Sequence, residues 1–195
     1  MRARAAGVEK TRRRILDAAY GLSAERLLTD ISLDAVARSA EVSVQTVLRQ
    51  FGSRAGLIEA TTAHAMEMVT EERQVPPGDV PQAIRVLVDH YELRGDAVVL
   101  MLAQESTDPT VAALVETGRA YHRTWVEEVF APLVVSVRDE VRDATLDLLV
   151  IATDVYTWKL LRRDRSLSRP VVEERITQLT EAVLATVPPH HPREH

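Results

Sequence analysis

Residues 32–58, SLDAVARSAEVSVQTVLRQFGSRAGLI, constrain the fold more than any other stretch of this chain. Three serines punctuate it. Ser32 is placed to cap a helix over Leu33–Ser39, Ser43 a second over Val44–Gln50, and Ser53 a third from Arg54. A cap serine accepts a hydrogen bond from one of the unpaired N–H groups of a helix's first turn. Val36, Ala37, Val42, Val47 and Phe51 fall where a small helical unit needs apolar packing. Gln45, Thr46, Arg49 and Gln50 fall on the other face of the second helix. A short helix with a buried back and a hydrogen-bonding front suits insertion into a DNA major groove.

The segment before it fits the same unit. Residues 9–25 form an amphipathic helix with Ile15, Ala18, Ala19 and Leu22 on one face. Arg2, Arg4, Lys10, Arg12, Arg13 and Arg14 make a basic arm. Residues 1–60 carry a net charge of +3 and the remaining 135 a net of −8, against −5 for the whole chain. A basic module on an acidic protein is a localised phosphate-binding footprint.

The pattern A-x-V-S followed by T-x-x-x-x-F-x-S-[KR]-x-x-L-[IL], after an amphipathic helix, resembles the DNA-binding domain of TetR-family regulators. Ala40, Val42, Ser43, Thr46, Phe51, Ser53, Arg54, Leu57 and Ile58 carry the match. The motif spans about a quarter of the chain, and length and domain order agree over nearly all of it. The resemblance implies an all-α homodimer that represses a promoter and releases it when a small molecule binds. The DNA-contacting set it implies is Arg12, Ser43, Val44, Gln45, Thr46, Arg49, Gln50 and Arg54. Several positions depart from the family. Glu41 stands where the turn usually has glycine, and a left-handed glutamate costs roughly 1 kcal/mol. Leu48 replaces a tyrosine that usually contacts phosphate, which puts that contact in doubt. Gln50 stands where histidine or tyrosine is common, and Leu27 where a loop glycine is usual.

Length and composition bound the rest. At 195 residues, one or two domains with a sizeable core are expected. No apolar run reaches the roughly 20 residues of a membrane span, and the start lacks the apolar stretch of a secretory signal. Cysteine is absent, so disulfides and thiolate chemistry are excluded and a cytoplasmic setting is expected. The fold class is all-α, with about nine helices. The division is a helix-turn-helix domain over 1–53, a ligand-binding and dimerisation domain over 54–187, and a disordered tail over 188–195. A linking helix runs from Arg54 to Glu72, and the prolines of VPPGDVP at 75–81 end it. Helices follow over Pro81–Leu93 and Asp96–Gln104, split at Arg94-Gly95. Asp108 caps a long helix to Val137, kinked at Pro132. The last two run from Arg138 to Arg163 and from Pro170 to Thr186.

Two apolar stripes mark the last helices: Leu146, Leu149, Val150, Thr153 and Leu160 or Leu161, then Val172, Ile176, Leu179, Val183 and Val187. Each stripe either packs within its own subunit or pairs with a symmetry mate in a four-helix bundle. The resemblance, and the need to read two half-sites, favour the homodimer. For a small, moderately apolar ligand, the expected lining is Met66, Tyr91, Met101, Tyr121, Trp125 and Trp158, with Gln104, His122 and Asp154 as polar anchors. For any one of the aromatics, ordinary core packing remains the alternative. No catalytic motif, cofactor loop or metal signature is present: His64, His90 and His122 are scattered, and His190, His191 and His195 lie in the tail. The expected protein is therefore a non-enzymatic, ligand-responsive repressor of double-stranded operator DNA, with no cofactor and no membrane partner. A helical carrier or enzyme with a vestigial DNA module is the alternative.

Overall fold

The computed structural model describes residues 2–135 and 137–187, with side chains from residue 6. The expected tail over 188–195, with its three histidines, lies outside the described residues, as do the side chains of Arg2 and Arg4.

All regular structure among the described residues is helical. It runs α1 (Arg2–Glu25), a 3-10 turn (Leu28–Asp30), α2 (Leu33–Ser39), α3 (Val44–Phe51) and α4 (Arg54–Glu72). Then follow α5 (Val80–Leu102), α6 (Pro109–Val134), α7 (Asp139–Ala152), α8 (Val155–Lys159), a π turn (Leu160–Asp164) and α9 (Arg169–Leu184). No described helix is long and apolar enough to cross a membrane. The chain forms two compact units. The first takes residues up to Glu71 together with Leu100–Leu114; the second takes Glu72–Val99 and residues from Val115 onward.

The first unit closes on Ile15, Leu16, Ala19, Ile31, Val36, Ala37, Ala40, Val47 and Leu57. These are the inward positions of α1 to α4, and burying them offsets the entropy of ordering such short helices. The three serines cap as their spacing requires. Ser32 Oγ accepts from Ala35 N–H at 3.1 Å, Ser43 Oγ from Thr46 N–H at 3.2 Å, and Ser53 Oγ from Gly56 N–H at 3.1 Å. Glu41 has φ 52°, so this non-glycine residue does take the left-handed turn conformation. Leu27 has φ −60°, an ordinary backbone in which glycine is not required. The basic arm, read as a separate segment, is helical from Arg2 and continues α1.

In the second unit, two boundaries differ from the sequence reading. Arg94-Gly95 does not break the chain, and α5 is continuous through it. Gly95 answers instead to packing: a Cβ there would lie 2.4 Å from the Trp158 ring. The helix expected over Arg138–Arg163 ends at Ala152, because Asp154 caps a new helix by accepting from Tyr156 N–H at 2.7 Å. The first apolar stripe is largely internal. Leu146, Leu149 and Thr153 are buried, and α7 packs on α9, where Val172 and Ile176 are buried too. Leu148 and Ile151 of α7, Leu160 of the π turn and Leu179 of α9 are among the apolar side chains that face outward. Pro132 sits inside α6, and nearby the Val129 carbonyl accepts from Gly78 N–H at 2.7 Å in the proline-rich turn.

Candidate functional site

Helix α3 is held from behind and open in front. Val47 is fully buried, and Val44 and Phe51 are half-buried against the same core. One turn of 100° per residue then carries Gln45 and Arg49 to the middle of the outer face, and both are exposed. Thr46 and Gln50 flank them, half-buried. Ser43 Oγ lies 3.0 Å from Thr46 Oγ1 as well as capping the helix, so both hydroxyls are oriented at the α3 N-terminus. Backbone N–H groups and hydroxyls at a helix N-terminus form a site for a phosphate oxygen. Leu48 is half-buried beside this face.

Two of the expected DNA contacts also hold the unit together. Arg12 stacks its guanidinium 4.7 Å from the Phe51 ring centroid, which fixes it beside the end of α3. Arg54 donates from Nε to the Ile31 carbonyl at 3.2 Å and from Nη2 to the Leu28 carbonyl at 2.6 Å. Those carbonyls belong to the 3-10 turn that leads into α2. The same turn is fastened by Gln104, whose Oε1 accepts from Leu28 N–H at 2.8 Å while its Nε2 donates to the Leu100 carbonyl. Asp17 and His64 join α1 to α4 at 2.8 Å. Arg54 and Gln104 were read from sequence as a phosphate contact and a ligand anchor; both are engaged on backbone of the first unit.

The other expected ligand residues divide between the units. Met66 and Met101 are half-buried in the first. Tyr91, Tyr121, His122, Trp125, Asp154 and Trp158 belong to the second. Tyr91 and Trp158 have ring centroids 5.9 Å apart, and His122 stacks on Trp125 at 6.0 Å. Tyr91 Oη donates to the Thr153 carbonyl at 2.9 Å, and Trp125 Nε1 to the Arg73 carbonyl at 2.9 Å. Asp154 spends its carboxylate on the α8 cap, and burial raises its pKa. Trp158 Nε1 donates to Glu92 at 3.1 Å, and Arg163 stacks 4.6 Å from its ring. Sequence reasoning missed Arg73, whose side chain is enclosed by Tyr121, His122 and Trp125. No periodicity signals it, because it lies in the segment between α4 and α5.

Both histidines near Arg73 are held neutral. Burial first, and then the Arg73 charge, lower His122 to about 3 and His90 to about 4. Glu72 accepts from His90 at 3.1 Å and pairs with Arg94, and these hydrogen bonds lower its pKa against the opposing effect of burial. Among the described residues, no group of three or more His, Cys, Asp or Glu is arranged to hold a metal ion.

Residues 15–61 match the family model described as bacterial regulatory proteins, tetR family. No curated protein matches the chain. Solved structures do. A transcriptional regulator from Rhodococcus sp. Rha1 is 16% identical with a TM-score of 0.67, covering 89% of this chain and 96% of its own. A tetR-family transcriptional regulator from Streptomyces coelicolor is 18% identical with a TM-score of 0.67, covering 95% and 91%. A TetR transcriptional regulator from Rhodococcus sp. RHA1 is 18% identical with a TM-score of 0.57, covering 92% and 99%. At these identities the structures establish the fold, and the match over residues 15–61, with the capped, outward-facing α3, shows a tetR-family DNA-binding domain at the N-terminal end of the chain.

Proposed function

We propose that the protein is a cytoplasmic, dimeric repressor that binds operator DNA through α3 and is released by a small, moderately apolar molecule. The observation that carries the DNA-reading part is the α3 face: Gln45 and Arg49 are exposed beside the capping pair Ser43 and Thr46. Arginine bonds guanine bidentately and glutamine adenine, while a half-buried Val44 suits a thymine methyl. Dimerisation is supported by Leu148, Ile151 and Leu179, exposed on two helices that pack together. Large apolar side chains in water favour a self-complementary contact. The bunched aromatics of the second unit support the ligand.

A genome-fragment binding screen with the purified protein identifies the operator, and titration of Arg49→Ala tests the assignment. The variant loses about 5- to 150-fold on the operator, the equivalent of about 1–3 kcal/mol for one bidentate base contact, and much less on random DNA. Equal losses on both make Arg49 a phosphate contact. No enrichment of any fragment removes the operator reading altogether.

A further inference from the structure

The second unit buries a cation that no carboxylate neutralises. Arg73 is 4% exposed, and among the described residues it takes part in no ion pair. Its guanidinium lies 4.2 Å from the Trp125 ring centroid and 5.5 Å from that of Tyr121. Nη2 donates to His122 Nδ1 at 2.9 Å. Nε is buried and has no hydrogen-bond partner. The neighbouring carboxylate, Glu72, is committed to His90 and Arg94.

The imidazole and the aromatic donors around it have their own partners. An arginine only donates, so His122 Nδ1 must accept and its proton sits on Nε2. That proton goes to Thr153 Oγ1 at 3.2 Å, and the threonine hydroxyl donates in turn to the Leu149 carbonyl at 2.7 Å. Tyr91 and Trp125 have their own acceptors in the Thr153 and Arg73 carbonyls. Arg73 Nε is the buried donor in this cluster without an acceptor. An arginine does not shed its proton, and burying an unpaired ion costs several kcal/mol. Two aromatic faces return about 2 kcal/mol or more at a desolvated site. The histidines, neutral at physiological pH, return no negative charge. An anion with two coplanar oxygens resolves both deficits at once, because the Nε and Nη2 edge of a guanidinium matches a carboxylate side-on.

The geometry points to a ligand site at Arg73 for a small carboxylic acid with a planar apolar body, its carboxylate on Nε and Nη2 and its body beside the half-exposed Tyr121 ring. This rests on the ligand-responsive reading above and names the chemical class.

The test uses the full-length protein with benzoate, phenylacetate and cinnamate, each against its uncharged amide at matched ionic strength. Trp125 and Trp158 are the two tryptophans of the chain, so intrinsic fluorescence reports on this cluster. At least one acid produces a saturable fluorescence change and raises Tm, while its amide binds at least tenfold more weakly. Arg73→Met abolishes the response, and its own Tm without ligand equals or exceeds that of the parent. Should that variant fail to fold, Arg73→Lys decides: it keeps the charge, loses the fork, and weakens the acid at least tenfold. Equal binding of acid and amide overturns the proposal. So does an undiminished response in the folded Arg73 variant, or no response to any of the three acids. Operator titration alongside separates the two readings. Operator binding without an acid response removes this site and leaves the DNA regulator. A saturable acid response that leaves operator affinity unchanged keeps the site and removes ligand release.

Discussion

Gly95→Ala should destabilise the protein, against the usual effect of that change in a helix. In an open helix interior, alanine is better than glycine by about 1 kcal/mol. Here the added carbon meets Trp158 Cζ3 at 2.4 Å, with Cη2 at 2.6 Å and Cε3 at 2.9 Å. Ordinary carbon contacts begin near 3.5 Å, so the ring or α5 must retreat by about 1 Å. The ring is not free to swing. It is fully buried, its Nε1 donates to Glu92, the same carboxylate accepts from Arg162 Nε at 2.8 Å, and Arg163 covers a face. Overpacking costs about 1–3 kcal/mol. Loosening the indole hydrogen bond adds about 1 kcal/mol. Set against the propensity gain, the net loss is about 1–3 kcal/mol, or a Tm lower by roughly 2–12 °C for a chain of this size. Urea denaturation followed by circular dichroism measures it. The decisive arm is Trp158→Leu. In that background the clash is gone, and Gly95→Ala should turn neutral or stabilising by up to about 1 kcal/mol. A Gly95→Ala protein that is more stable than the parent with Trp158 in place refutes the packing argument.

Glu41→Gly relieves a left-handed φ of 52° in the turn between α2 and α3. Strain relief of about 1–2 kcal/mol, less about 0.5–1 for the glycine's greater unfolded freedom, leaves a gain of about 0.5–1 kcal/mol by urea midpoint. A loss shows instead that the carboxylate makes a contact worth more than the strain. Acid should destabilise the protein well above the carboxylate range. His90 and His122 have folded pKa values lowered to about 4 and about 3, so from pH 6.5 downward the unfolded chain takes up protons that the folded chain refuses. Stability is complete above about pH 6.5 and falls by up to about 1.4 kcal/mol per pH unit for each histidine. His122→Gln should flatten the slope between pH 6.5 and 5, and an unchanged slope assigns the proton uptake elsewhere.

The first unit was legible because its determinants are local. A cap serine and the N–H it serves lie three residues apart, and the buried positions of α1 to α4 recur at helical spacing. Glu41 too was readable, since a turn geometry restricts a single residue. The limits appear where one residue answers to another far along the chain. Gly95 looked like a helix break because glycine lowers local propensity, yet its reason is an indole 63 positions later, and the helix runs on. The stripe on α7 illustrates a different ambiguity. Periodicity gives an apolar face but not its partner, and Leu146 and Leu149 turned inward while Leu148 and Ile151 stayed out.

Arg54 and Gln104 show that polar side chains in a functional region also serve the fold. Each was assigned an external partner, a phosphate or a ligand, because a hydrogen-bonding side chain in a functional region invites one. Backbone groups of a turn make an equal claim, since a buried N–H or C=O without a partner costs as much as a lost hydrogen bond. The Leu28 and Ile31 carbonyls and the Leu28 N–H are such groups, and these two side chains satisfy them. Arg73 is the converse. Its sequence setting, EERQVPP, reads as solvated charge ahead of a proline turn, and the two glutamates before it suggest a ready counter-ion. Folding takes Glu72 to His90 and Arg94 and leaves Arg73 enclosed with rings and a neutral imidazole. A charge whose obvious partners are engaged elsewhere, and whose buried Nε points at no acceptor, is a property of three-dimensional packing. It is also the feature that a soluble anion is best equipped to complete.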